Sequence, residues 1–156
     1  METALPPEAT LRSRSRALKS WIEWDADRPD WKPGDCAVRA IAVVMKRPYS
    51  EVYQDISAFI GEDPGNGVNS VQIMKYLLRR GFTVYKPGHK EIRRISLNRF
   101  DQTEPLMQFE PPDHRIVVFL PGHMTAVING HIVDTFDPRE RSKMREVVAY
   151  AVPGRP

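Results

Sequence analysis

Three side chains far apart in the chain have the types that acyl-transfer chemistry needs: Cys36, His123 and Asp134. Cys36 is the only cysteine and stands in Pro33-Gly34-Asp35-Cys36-Ala37-Val38-Arg39-Ala40-Ile41, where a loop turns into a helix. Pro33 and Gly34 break regular structure, and Asp35 is a favoured N-cap residue. Cys36 then takes the first helical position. Unpaired N–H groups and the positive end of the helix dipole favour its thiolate there, which is what a nucleophile requires. A free cysteine is more often a small buried hydrophobe, so this stretch does not decide alone.

The second and third residues lie in one hairpin, His123-Met124-Thr125-Ala126-Val127-Ile128-Asn129-Gly130-His131-Ile132-Val133-Asp134-Thr135-Phe136-Asp137-Pro138. Asn-Gly between alternating segments is a strong hairpin signal, because both turn residues must reach positive φ. A two-residue turn pairs Ile128 with His131 and Val127 with Ile132, and so on back to His123 with Phe136. His123, Thr125 and Val127 then share a face with Ile132, Asp134 and Phe136. Asp134 becomes the diagonal neighbour of His123, while Asp137 points to the other face. A histidine held by a carboxylate on the next strand is laid out as a general base fixed in one tautomer. Cys36, His123 and Asp134 together read as nucleophile, base and orienter. His89, His114 and His131 lie in polar or turn contexts and read as surface residues.

Helices must carry the cysteine. Ala37, Ala40, Ile41 and Val44 recur at helical spacing, and Pro48 ends that helix near Lys46. Ser50 caps a second helix, with Val52, Tyr53, Ile56, Phe59 and Ile60 inward and Gly61 closing it. The loop 62–67 is flexible in this reading and borders a cleft. Asn69 starts a third helix with Gln72 as capping-box partner; Val71, Met74, Tyr76, Leu77 and Leu78 form its apolar side, and Gly81 ends it. The second half changes period. Phe82–Tyr85 reads as a short strand and residues 86–113 as irregular. Ile116–Leu120 reads as a buried strand, and Val147–Val152 as the strand that closes the sheet. Helices first and strands second predict an α+β fold, with N-terminal helices packed on a C-terminal antiparallel sheet.

Residues 1–30 read as a basic arm and 31–156 as one domain. In the arm, Arg12, Arg14, Arg16 and Lys19 precede Trp21, Ile22 and Trp24, with a short helix expected from about Glu8 to Glu23. Lys90, Arg93, Arg94 and Arg99 form a second basic group. With a net charge of +3, these permit contact with nucleic acid without requiring it. A single cysteine excludes an internal disulfide framework and fits a reducing compartment. No apolar run approaches a membrane span, and no secretory leader is visible, so a cytoplasmic protein is expected. There is no Walker loop, no dinucleotide fingerprint and no metal-ligand spacing, so no cofactor is expected.

The Gly34-Asp35-Cys36 helix start, the Gly122-His123 strand start and the Asp134 strand resemble the papain-like cysteine peptidase superfamily in its small form. Asp35–Ile41 and His123–Val127 with Asp134-Thr135 are similar to papain-like proteins of bacteriophage genomes, and the transglutaminase core has the same order. The resemblance spans about residues 31–138. It implies a papain-like fold, a thiolate–imidazolium pair and an acyl-thioester intermediate, with a peptide or protein as substrate. Asp30 stands where the papain pattern has a glutamine. The Cys36 N–H therefore needs a second oxyanion donor, either a backbone N–H or the side chain of Trp31 or Asn69. The expected activity is peptide or isopeptide hydrolysis. The alternatives are transglutaminase- or deamidase-like transfer, and a non-enzymatic module whose basic arm meets nucleic acid or a protein partner.

Overall fold

A computed structural model describes residues 5–6, 9, 20–26, 34–86, 95–100 and 114–154. Arg12, Arg14, Arg16, Lys19, Asp30, Trp31, His89, Lys90, Arg93 and Arg94 lie outside the described residues. The fold is α+β, and the described residues form three helices on a mixed six-stranded sheet.

The helices are α1 (Cys36–Met45), α2 (Tyr49–Ile60) and α3 (Ser70–Arg79). Lys46 in the left-handed region ends α1, and Gly61 at φ 76° ends α2. Helix α2 begins at Tyr49 after Pro48, one residue before the serine expected to cap it, because Pro48 lacks an N–H and fits just outside a helix start. Asn69 caps α3 as expected, its side chain accepting the Val71 N–H at 2.8 Å. Helix α1 is buried from Ala37 through Val44, on every side, because it lies between α2 and the sheet. Val71 and Leu78 are exposed rather than inward, and Ile73 takes the core position with Met74, Tyr76 and Leu77.

The sheet strands are β1 (Ser20–Glu23), β2 (Thr83–Tyr85), β4 (Arg115–Leu120), β5 (His123–Ile128), β6 (His131–Asp134) and β8 (Ala149–Val152), in the order β1-β6-β5-β4-β8-β2. A small pair, β3 (Ile95–Ser96) and β7 (Glu146–Val147), forms a second, two-stranded sheet. The sheet is not purely antiparallel or C-terminal. Strand β1 pairs parallel with β6, so Ser20–Glu23 is an edge strand where the end of a helix was expected. Trp21 and Ile22 favour a pleated strand more than a helix, and β6 offers them a partner.

One sheet face carries Val117, Phe119, Met124, Ala126, Ile128 and Ala151 against the helices. The other carries Ile116, Val118, Leu120, Val127 and Ile132, covered by Leu97, Phe100 and Val147. Burial on both faces explains the unbroken apolar run of β4. It also corrects the reading of 86–113 as merely irregular, since Leu97 and Phe100 close the second face. The Asn129-Gly130 turn has φ of 52° and 89°, and it sets Ile128 opposite His131 and Val127 opposite Ile132, as the sequence predicts. Among the described residues, no helix is long and apolar enough to cross a membrane.

Candidate active site

Cys36 is the first residue of α1, held by a close approach of two loops. Gly34 donates its N–H to the Gly65 carbonyl at 3.1 Å and bridges Asn66. A Cβ on Gly34 would stand 2.4 Å from the Gly67 nitrogen and 2.6 Å from the Gly65 oxygen, so only glycine fits. The 62–67 loop borders the cleft as expected, and it is anchored by Asp63, which accepts from the Gly65 N–H and the Tyr53 hydroxyl.

Asp35 does not cap α1 with its side chain. It is fully buried, and its two oxygens accept from Arg39 Nε and the Tyr49 hydroxyl, each at 2.8 Å. A buried carboxylate is drawn to a cation and a hydroxyl more strongly than to an amide.

His123 opens β5, beyond the last rung of the β5–β6 ladder. Its Nε2 lies 2.7 Å from Asp134 Oδ2. Asp134 Oδ1 accepts from Arg39 Nη1 at 3.1 Å and from the Thr135 N–H at 2.7 Å. The Asp134 carbonyl accepts from the Trp24 N–H at 2.9 Å and from Trp21 Nε1 at 3.2 Å. Strand β1 thus fixes the carboxylate's backbone. The ring of Phe136 packs on the imidazole with centroids 4.8 Å apart. Asp137 is engaged elsewhere, by the N–H and guanidinium of Arg139.

Cys36 and His123 line the same cleft, and each shifts the proton affinity of the other. With Nε2 held by Asp134, Nδ1 is the ring nitrogen left for the sulfur. Burial pushes the Cys36 thiol up, but the His123 hydrogen bond and charge, the Met124 N–H and Arg39 overcome it, so its pKa is lowered. Burial pulls His123 down, but its bonds to Asp134 and Cys36 win and raise it to about 9. Burial likewise raises the Asp134 carboxyl, and His123 with Arg39 reverses that to a lowered value. All three shifts favour the charged forms, thiolate, imidazolium and carboxylate, in one row. Such a row can attack a carbonyl, protonate a leaving group and then activate water.

A cleft of about 520 Å³ runs past Cys36 and His123, with Gly67, Phe119, Phe136 and Arg141 in its walls. Of the oxyanion donors named from sequence, Trp31 lies outside the described residues. The Asn69 side chain is occupied as a helix cap and does not line this cleft. The Cys36 N–H, at the first turn of α1, has no acceptor within the helix.

His114 is buried rather than at the surface, because its N–H and carbonyl close the hairpin through Asn129. Sequence reasoning missed Arg39, which links Asp35 to Asp134. The available signal was one arginine in a run of apolar helical residues, four places after an aspartate. It also missed Phe136 and Trp21, whose roles follow from pairings that local pattern does not encode. No protein family, curated protein or solved structure matches the chain.

Proposed function

We propose that this protein is a papain-like cysteine acyl hydrolase that cleaves peptide or isopeptide amides. One observation carries the reading: His123, held by Asp134 at 2.7 Å, shares the wall of one cleft with Cys36 and lowers the pKa of its thiol. The Cys36 thiolate attacks the amide carbon, and the carbonyl oxygen takes the negative charge near the N-terminus of α1. The intermediate collapses with loss of the amine, which takes the proton from His123, and leaves an acyl thioester. Neutral His123 then removes a proton from water; the hydroxide releases the acid and regenerates the thiolate. Asp134 keeps Nδ1 of His123 facing the sulfur throughout.

The test is the pH dependence of Cys36 alkylation by iodoacetamide in the native protein and in His123→Ala. The expected result is native reactivity with an apparent pKa well below the ~8.5 of free cysteine, lost without His123. An inert cysteine, or identical titration in both proteins, overturns the reading.

A further inference from the structure

The cleft has an unbalanced charge. Among the described residues that line it there is no aspartate or glutamate, and two arginines are present, Arg39 and Arg141. Arg39 is buried and neutralised by Asp35 and Asp134. Arg141 is exposed and makes no ion pair with any described residue, in contrast to its near neighbour Arg139, which is bound to Asp137. The Arg141 guanidinium instead sits 4.8 Å from the Phe136 ring centroid, and that ring in turn packs on His123. Guanidinium, phenyl and a tilted imidazole thus form a row of contacts that ends at His123.

The chain carrying this cation is firmly tied. The Arg141 N–H donates to the Pro138 carbonyl at 3.0 Å, and its own carbonyl accepts from Met144 at 2.9 Å. Arg145 Nε reaches back to the Arg139 carbonyl at 2.7 Å. A guanidinium held over an aromatic face still has N–H groups to offer a planar anion, and a carboxylate suits them.

We infer that Arg141 is a specificity residue, and that the cleft prefers amides bearing a carboxylate within about three residues of the scissile bond. This rests on Cys36 being the nucleophile. The carboxylate has two possible sources, an acidic side chain or a free chain terminus, which share the same chemistry at Arg141.

The experiment measures Cys36 alkylation by two matched pairs of reagents, in the native protein and in Arg141→Ala and Arg141→Glu. Bromoacetyl-Asp-amide against bromoacetyl-Asn-amide reads a side-chain carboxylate. Bromoacetyl-Ala against its amide reads a terminal one. In the native protein, one pair should favour the acid by about 3- to 10-fold, the effect of one charge across a partly solvated gap. That ratio should collapse towards one in Arg141→Ala and invert in Arg141→Glu, and the pair that responds identifies the source. If neither ratio changes in the variants, the proposal is overturned. Failure of the nucleophile reading is separate, since it appears as alkylation that ignores His123→Ala whatever the ratios do.

Discussion

Replacing Arg39 with methionine tests the buried charge network that holds the site. Methionine keeps most of the unbranched length and helix preference of arginine but removes the guanidinium. The side chains of Asp35 and Asp134 are 0% and 1% exposed, and that of Arg39 is 9% exposed. The substitution therefore strands two carboxylates away from water. Breaking a buried pair by removing one partner costs about 3–5 kcal/mol. At about 2–4 °C per kcal/mol for a chain of this size, melting should fall by roughly 6–20 °C. Arg39 also helps hold the Asp134 carboxyl below its ordinary 3.8. That contribution is fully present above 3.8 and vanishes as acid protonates the folded carboxyl, so the gap to the native protein should be widest near neutral pH. It should narrow as pH falls below about 4. The assay is urea unfolding at pH 7 and at about pH 2.5, below the ordinary carboxyl value, with Arg39→Lys as the charge-retaining control. A variant within about 1 kcal/mol of the native protein at pH 7 would refute the reasoning.

Asp134→Asn removes the first of the two bonds that hold the His123 proton. An alkaline transition is expected in Cys36 alkylation at the raised His123 pKa of about 9, and it should move down in the variant towards the ordinary imidazole value of 6.5. An unchanged transition would mean that the carboxylate does not act on the ring. Native stability should also fall as pH drops below 3.8, where Asp134 loses its folded-state advantage, with a shallower fall in Asp134→Asn under the same urea titration. Gly34→Ala forces a Cβ into the 65–67 backbone and should cost about 1–3 kcal/mol by differential scanning calorimetry, with slower alkylation of Cys36 as its turn is displaced. Tyr49→Phe takes one donor from the buried Asp35 carboxylate and should cost about 1–3 kcal/mol in the same scan, without changing the pH profile of Cys36.

The parts of the site that were legible in the sequence rest on short-range rules. Asn129-Gly130 dictates a two-residue turn, and that turn fixes which residues of β5 and β6 are neighbours, so Asp134 could be chosen over Asp137. The start of α1 was legible for the same local reason. What was hidden is long-range. Nothing in Ser20-Trp21-Ile22-Glu23 announces a parallel partner more than a hundred residues away. Leu97 and Phe100 look like stray apolar residues until the second face of the sheet exists for them to cover. Arg39 looked like an ordinary helical arginine, because its burial depends on charges supplied by Asp35 and by a strand near the other end of the chain. Asp35 stands at the N-cap position that its residue type predicts, but local propensity does not show that its carboxylate turns to a stronger partner one turn later.

The distance along the chain between the parts of the site also matters during synthesis. Cys36 leaves the ribosome roughly ninety residues before His123 and Asp134, at a pace of about 5–20 residues per second. For those seconds it is an unassisted thiol at the start of a lone helix, little more reactive than cysteine in any newly made segment. Only when β5 and β6 have been made and paired do a proton acceptor and a counter-charge arrive beside it. A nascent chain, or one cut short by a nonsense codon, therefore carries an inactive sulfur, and the reactivity proposed for this protein begins only when the sheet has closed.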